Sequence, residues 1–271
     1  MYKVSVVKCR DYNNFRVRKA LLESLKNIDF EFKKGMKVLI KPNILSPNTP
    51  DKAITTNPVV IEEMCKILKE HNCKIYIGES SSYSTDLGFK KSGIGKMEKY
   101  AKIVNFESEE KKFFDLGARE LNRIPLPKIL FNVDLIINMA KMKTHGLTQV
   151  TLAIKNLYGC IPGELKMNFH KVLHHPKDFA RFLLKLEEHI KPELNIIDGI
   201  VAMEGEGPGA SGEKVKSKLI IASKSARASD IIASEIMGFN PKKIYTCKLS
   251  GIERKNIEIT GNAKDTKLKF K

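Results

Sequence analysis

Short runs of apolar residues alternate along the chain with longer segments in which apolar residues recur every three or four positions. The short runs predict strands at residues 2–9, 37–40, 73–77, 133–137, 194–197, 215–222 and 257–259. The longer segments predict helices at residues 13–28, 58–71, 89–102, 147–158, 176–190 and 225–237. Strands that alternate with helices are typical of parallel pairing. We therefore predict an α/β fold, with alternating strands and helices around a mainly parallel sheet.

A less regular section interrupts this alternation at about residues 104–130. It contains two short strand-like segments followed by an extended segment. The chain shows no internal repeat and no low-complexity linker. We expect one α/β domain across residues 1–271, in which the section at about 104–130 is a candidate insertion or small subdomain.

Polar residues with binding chemistry cluster directly after the predicted strand at 133–137. They form the segment Asn138-Met-Ala-Lys141-Met-Lys143-Thr144-His145-Gly146, which we predict to connect this strand to the helix at 147–158. That helix carries Lys155-Asn156 near its end. Lysine ammonium groups attract anionic groups, and threonine and asparagine add hydrogen bonds. The segment therefore predicts a site, without naming its ligand.

Other predicted strands also end in polar groups. One ends in Lys41-Pro42-Asn43, one in Gly78-Glu79-Ser80 and one in Asp198-Gly199. Each of these alone could be an ordinary turn. The carboxyl ends of parallel strands open on one edge of a sheet, so together they predict a binding crevice. We expect this crevice to contain Lys41, Asn43, Glu79, Ser80, Asn138, Lys141, Lys143, His145 and Asp198.

The net charge of +17 comes from lysines spread along the whole chain. Nucleic-acid binding proteins usually cluster their basic residues among aromatic residues or glycines, so the pattern favours a solvated surface over a nucleic-acid interface. The abundance of Lys, Glu and Ile without any Trp suits a thermophile.

The cellular location of the protein is predicted from the hydrophobicity of its segments. No apolar run approaches the roughly 18 residues that cross a bilayer, and residues 1–7 predict a strand where a signal peptide would stand. We therefore predict a cytoplasmic protein that makes no contact with a membrane.

Cysteine usage bears on cofactors. The five cysteines are scattered and none forms a Cys-x-x-Cys pair, so we expect free thiols and no iron–sulfur cluster. A polar segment at 165–175, predicted to be a loop, carries His170, His174 and His175, for which surface positions are favoured over a metal site. The glycine-rich segment at 203–209 could approach a ligand or could be a flexible connection, and the two interpretations stay open.

Several ordered motifs resemble one known family. They are Val38-Leu-Ile-Lys41-Pro-Asn43, Thr55-Thr56-x-Pro58, Gly78-Glu79-Ser80, Ile137-Asn138-x-x-Lys141-x-Lys143-Thr144-His145, Thr148 with Ala153-x-Lys155-Asn156-x-x-Gly159, and Ile197-Asp198-Gly199-Ile-x-x-Met203-Glu204-Gly205-x-Gly207-Pro208. With them the sequence resembles the family called domain of unknown function 362 over nearly its whole length. Many relatives carry a ferredoxin-type module after this domain. The cysteine runs of that module are missing here, so the resemblance implies no iron–sulfur role. Asn57 stands where family members commonly have histidine, which argues against a catalytic role for that position.

Our first functional hypothesis is an enzyme that acts on a small anionic metabolite. The catalytic candidates are His145 as acid or base, Lys141 and Lys155. The ligand-binding candidates are Lys41, Asn43, Thr55, Thr56, Ser80, Asn138, Lys143, Thr144 and Asn156. Glu79, Asp198 and Glu204 are candidate ligands for a divalent metal ion between them and the substrate. We expect Lys141→Ala and Lys143→Ala to weaken anion binding and leave the fold intact, because both lysines are assigned to a turn.

Two other hypotheses stay open. The protein could be a non-catalytic redox or maturation partner that docks with a separate ferredoxin-like protein, since a basic surface suits an acidic one. RNA binding through the lysine-rich surface is the third hypothesis, which the scattered charge does not favour.

Overall fold

The computed structural model of the chain describes residues 1–115, 123–209 and 211–271. Its strands are β1 (Tyr2–Lys8), β2 (Lys37–Lys41), β3 (Lys74–Glu79), β4 (Lys102–Asn105), β5 (Lys111–Phe114), β6 (Ile124–Pro127), β7 (Leu135–His145), β8 (Gln149–Thr151), β9 (Leu194–Gly205), β10 (Gly212–Val215), β11 (Leu219–Ser223) and β12 (Ile257–Thr260). Its α-helices are α1 (Asn14–Asn27), α2 (Pro58–Glu70), α3 (Thr85–Ser92), α4 (Ala153–Asn156), α5 (Gly163–Val172), α6 (Pro176–Ile190), α7 (Ala226–Ile236) and α8 (Tyr245–Lys248).

One large sheet organises the molecule, with the strand order β12-β1-β11-β9-β7-β2-β3-β4. Strands β9, β7, β2, β3 and β4 are all parallel to one another. Strand β11 runs antiparallel to β9 and to β1, and β12 pairs with β1 in parallel. The prediction of an α/β fold around a mainly parallel sheet is therefore confirmed. The parallel block brings the carboxyl ends of β9, β7, β2 and β3 to one edge.

Helices cover both faces of the sheet. Helices α1 and α2 contribute Leu21 and Met64 to a core with Val38 and Ile137, on one face. Helices α6 and α7 contribute to a second core, on the other face, which includes Ile136. Ile136 and Ile137 point to opposite faces because successive side chains of a strand alternate. The sheet is buried on both sides, which explains its nearly continuous apolar runs.

The predicted insertion at about 104–130 contains a separate small sheet, formed by β5 and β6 in antiparallel pairing. Residues 116–122, between these strands, lie outside the described residues. The interpretation of this section as an insertion or subdomain stays a prediction. Among the helices of the described ranges, none is both long enough and apolar enough to cross a membrane.

The largest difference from the sequence prediction concerns β7. We predicted a strand that ends at Ile137, but β7 continues to His145 with ten of its eleven residues buried. The predicted helix at 147–158 is also wrong. A short turn leads into β8, which pairs with the end of β7, and only Ala153–Asn156 is α-helical, followed by a 3₁₀ turn at Leu157–Cys160. A lysine such as Lys141 is typical of a surface loop when only the local sequence is considered, because its partner Asp198 lies far away in the sequence.

Two other segments are more regular than predicted. The polar segment at 165–175 is not a loop, because most of it belongs to α5. The glycine-rich segment after Met203 begins inside β9, which pairs with β10 as a hairpin extension of the sheet. Both elements close over the edge where the strands β2, β3 and β7 end.

Candidate functional site

A buried ion pair joins the ends of β2 and β3. Lys41 Nζ lies 2.9 Å from Glu79 Oε2, and both side chains are almost fully buried. Glu79 also accepts hydrogen bonds from the backbone N–H groups of Ile44 and Ser80. The backbone at Gly159 packs directly against this pair, and a Cβ atom there would collide with both charged groups. The motif glycine is therefore required by the close approach of the chain to the Lys41–Glu79 pair.

A second buried ion pair joins β7 and β9. Lys141 Nζ lies 2.9 Å from Asp198 Oδ2 and also donates to the hydroxyl of Tyr12. Tyr12 in turn donates to Asp198, which accepts a further hydrogen bond from the backbone N–H of Asn57 at the start of α2. Burial lowers the pKa of Lys141, and the Asp198 charge opposes that shift. These hydrogen bonds connect the loop before α1 and the start of α2 to the sheet.

Asparagine side chains connect the strand ends to α4. Asn138 donates to Asn195 Oδ1 at 2.9 Å and to the carbonyl of Ala153. Asn156 donates to Asn138 Oδ1 at 2.8 Å and accepts from Asn43 Nδ2 at 2.9 Å. This chain of amides holds β2, β7, β9 and α4 at fixed distances, so it sets the position of Lys155, which precedes Asn156.

A cavity of about 400 Å³, counting its open mouth, lies at this edge of the sheet. Residues from β3, β7, α4 and α5 and from the loops after β2 and β9 form its wall. The lining includes Asn43, Ile44, Leu45, Glu79, Ser80, Lys143, His145, Lys155, Asn156, Tyr158, Gly159, Lys166 and Pro208. The part of it that a water-sized molecule can enter is about 50 Å³, which leaves room for a small anion.

Lys143 is fully buried but is not part of an ion pair with any described carboxylate. Its Nζ donates to Asn43 Oδ1 and to the carbonyl oxygen of Ile54, both at 2.8 Å. Burial lowers the pKa of Lys143 well below its usual range, and the charges of Lys141 and Lys155 lower it further. An ammonium group has three donors, so one remains for a ligand.

His145 is held as a neutral hydrogen-bond donor. Its Nδ1 accepts from the backbone N–H groups of Leu147 and Thr148, at 3.1 and 3.3 Å. Nδ1 must therefore lack a proton, and the neutral ring carries its proton on Nε2. Burial, followed by the charges of Lys155 and Lys143, lowers the pKa of His145 to about 2. A ring in this state can polarise a carbonyl oxygen but does not serve as a base.

Two further lysines complete the cavity. Lys155 Nζ lies 4.4 Å from the ring centre of Tyr158, and burial and the charge of Lys166 lower the pKa of Lys155 to about 7. Lys166 donates to the carbonyl oxygen of Ser80, and burial lowers the pKa of Lys166 to about 8. Lys166 is not among the residues predicted from the sequence. The apolar spacing of Leu165, Phe169 and Leu173 could have identified the helix that carries it.

The structure divides the predicted crevice residues, together with the other catalytic and ligand-binding candidates, into two groups. The residues that line the cavity are Asn43, Glu79, Ser80, Lys143, His145, Lys155 and Asn156. The residues that do not line it are Lys41, Thr55, Thr56, Asn138, Lys141, Thr144 and Asp198. Thr56 donates to the carbonyl of Met139 and Thr144 to that of Gly205, so both hydroxyls hold backbone together.

The three carboxylates predicted as metal ligands are not brought together. Glu79 and Asp198 belong to separate ion pairs, on strands with β7 and β2 between them. Glu204 accepts from the backbone N–H of Lys271, on the β10 side of the sheet. Across residues 1–115, 123–209 and 211–271, no three or more His, Cys, Asp or Glu residues are grouped so that they could hold a metal ion.

The remaining candidates have ordinary roles. His170 packs against Tyr158 and Phe179, whereas His174 and His175 are exposed. His175 caps α6 by accepting from the backbone N–H of Lys177. Cys160 lies beside the cavity, but burial raises the pKa of its thiol to about 12, so it stays protonated.

The fold and its site define an α/β protein with a lysine-rich cavity at the carboxyl edge of its sheet. Residues 38–235 match the family described as Domain of unknown function (DUF362), and the chain belongs to this family. A thylakoid-associated protein of Synechocystis sp. is 31% identical over 232 residues, which cover 84% of this chain and 71% of the relative.

Two solved structures share the fold. A protein from Thermotoga maritima is 17% identical with a TM-score of 0.52, over 90% of this chain and 60% of its own. The lactate racemase apoprotein from Thermoanaerobacterium thermosaccharolyticum is 14% identical with a TM-score of 0.51, over 83% of this chain and 54% of its own. The chain thus spans little more than half the length of these two proteins, and the likeness concerns the fold alone.

Proposed function

We propose that the protein is an enzyme that binds a small carboxylate- or phosphate-bearing metabolite in this cavity and moves a proton at the carbon next to a carbonyl group. The observation that carries the proposal is the convergence of Lys143, Lys155 and Lys166 with a neutral His145 on one cavity. No described carboxylate lies within ion-pair distance of the three lysines.

The lysines supply the binding energy for an anion. Burial disfavours the charged form of each lysine and so lowers its pKa. A bound anion would favour the charged form and offset this effect. A charge-assisted hydrogen bond contributes about 1.5–3 kcal/mol. Lys143 is placed best for this role, because Asn43 and the carbonyl of Ile54 fix its ammonium group at the cavity wall.

The proton chemistry follows from the other groups. When a proton leaves the carbon next to a carbonyl, negative charge develops on the carbonyl oxygen, and the Nε2–H of His145 can stabilise it. Lys155 and Lys166 have pKa values of about 7 and 8, near the pH at which an amine both accepts and releases a proton readily. The neighbour named lactate racemase supports the proposal, because its name denotes an enzyme that acts on a small carboxylate.

The binding step is tested by thermal unfolding at constant ionic strength with lactate, pyruvate or inorganic phosphate. We expect at least one anion to stabilise the wild type and Lys143→Met to bind it about ten- to a hundredfold more weakly. Lys34→Met removes an exposed lysine and is the matched control, expected to behave as the wild type does. The proposal fails if no anion stabilises the wild type or if Lys143→Met gains as much stability.

The chemical step is tested by NMR in deuterium oxide. We expect the protein to exchange hydrogen for deuterium at the carbon next to the carbonyl or carboxylate of the anion that it binds. Lys166→Met should slow the exchange without preventing binding. A protein that binds the anion but catalyses no exchange would be a binding protein and not this enzyme.

We propose that the protein has this activity in the cytoplasm, the location predicted from its sequence.

A further inference from the structure

Lys155 is partly buried and differs from the fully buried lysines at this edge of the sheet. Lys41 and Lys141 are paired with carboxylates, and Lys166 donates to a backbone carbonyl. Lys143 also has two acceptors. Lys155 has neither a hydrogen-bond acceptor nor a carboxylate partner in the described part of the chain.

Aromatic rings take the place of polar partners around this amine. Lys155 Nζ lies 4.4 Å from the ring centre of Tyr158 and 5.1 Å from that of Phe179. These rings hold the alkyl chain and its nitrogen against one side of the cavity, where Lys155 is a lining residue. An amine that is desolvated and lies next to another cationic group is the arrangement that makes lysine a nucleophile.

We propose that Lys155 forms a covalent imine with a small anion that carries a ketone or aldehyde, such as a 2-oxo acid. This inference rests on the proposed function, since the same cavity must bind the anion. It divides the two amines between separate roles, with Lys155 as the nucleophile and Lys166 as the group that transfers protons. Lys143 would hold the carboxylate beside the carbonyl.

The step is balanced without an oxidant or reductant. The lone pair of the neutral Lys155 amine attacks the carbonyl carbon, and the π electrons move to oxygen, which takes up a proton from Lys166. The nitrogen returns a proton to Lys166, which passes it to the hydroxyl group, and this group departs as water while the carbon–nitrogen double bond forms. One carbonyl, one amine and one proton from Lys166 thus give one protonated imine and one water, and leave the Lys166 amine neutral. The electron-withdrawing imine makes the neighbouring C–H more acidic, which assists the proton transfer proposed above.

The test is reductive trapping of the full chain with pyruvate or glyoxylate and sodium cyanoborohydride. We expect one reduced adduct per chain by intact-mass spectrometry, and peptide mapping should place it at Lys155. Lys155→Arg keeps the positive charge but cannot form an imine, so it should abolish the adduct. Lys34→Arg, at an exposed lysine, should trap as the wild type does. The trapping rate should rise with pH through about 7, because the Lys155 pKa lies there, whereas exposed lysines have pKa values of about 10.4.

The outcomes separate the two proposals. If pyruvate stabilises the wild type in the thermal test but leaves no adduct at Lys155, the imine is refuted and the proposed function stands. If adducts are spread over the surface lysines, or Lys155→Arg traps as much as the wild type, the imine is refuted as well. If no anion of the thermal test stabilises the protein and neither pyruvate nor glyoxylate forms an adduct, both proposals are wrong.

Discussion

Lys141 and Lys143 are two positions apart in β7, on either side of a register shift in its pairing with β9, and they have different surroundings. Lys141 is paired with Asp198, whereas Lys143 has only neutral acceptors. Their removal should therefore have different consequences. The sequence-based expectation that both alanine variants leave the fold intact rested on a turn that does not exist, because both lysines lie within a buried strand.

We expect Lys141→Ala to lower the free energy of unfolding by about 3–5 kcal/mol, because it leaves Asp198 as a buried charge without its partner. Lys143→Ala should change stability much less, since the lost ammonium was itself unfavourable in its buried place. Urea unfolding of both variants checks the difference. Asp198→Asn introduced together with Lys141→Met is the control, and it should recover part of the loss. Equal destabilisation by the two single variants would contradict this account.

His145 should make the protein sensitive to acid. Its pKa is lowered to about 2 in the folded state, against 6.5 for the unfolded chain. Between these values the unfolded chain binds a proton that the folded protein does not, so stability falls as the pH falls from about 6.5 towards 2. NMR should show the His145 ring neutral, with its proton on Nε2, at pH 5. A ring that titrates near pH 6 would contradict the assigned state.

The position of helix α4 depends on a residue from another helix. Asp230 of α7 is buried and accepts from the backbone N–H groups of Ala153 and Ile154, at 2.7 and 3.0 Å. Burial raises the pKa of Asp230 to about 8, although these two donors act in the opposite direction. A helix of a single turn has little stability of its own, so Asp230 and the asparagine network hold the backbone that carries Lys155.

We expect Asp230→Ala to destabilise the protein by about 1–3 kcal/mol, because two buried N–H groups lose their acceptor. It should also weaken the stabilisation by anions, since Lys155 and Asn156 lose their fixed position. Thermal unfolding with and without the anion measures both effects. Ser234→Ala alters α7 one turn further on and is the control, expected to leave the anion effect unchanged. If Asp230→Ala lowers stability but leaves the stabilisation by the anion unchanged, Asp230 does not position the site.

Local patterns predicted most elements but failed where distant residues neutralise buried polar groups. The ends of β2 and β3 and the helices α2 and α6 follow from apolar spacing and from a proline at the first helical turn. The extension of β7 does not, because a strand with buried lysines is stable only when its partners are in place. Asp198 lies 57 positions from Lys141, and no local pattern reveals that the two will meet.

Local sequence patterns also predict only part of the site. The position of Lys143 and His145 at a sheet edge could be predicted, because parallel strands share one direction. The exclusion of Lys41 and Lys141 from the cavity could not, because it depends on which lysine finds a carboxylate. Lys166 lines the cavity because α5 lies against the end of β3, where Lys166 donates to the carbonyl of Ser80.

The polar groups buried in β7 also decide how the sheet can assemble. Asn138 lies opposite Asn195, and Lys141 opposite Asp198, in the pairing of β7 with β9. A shift of one residue would turn every side chain of β7 to the other face and place both lysines among apolar side chains without acceptors. An entirely apolar strand would tolerate such slippage at little cost. The polar pairs between β7 and β9 therefore fix the register of β7 in the sheet.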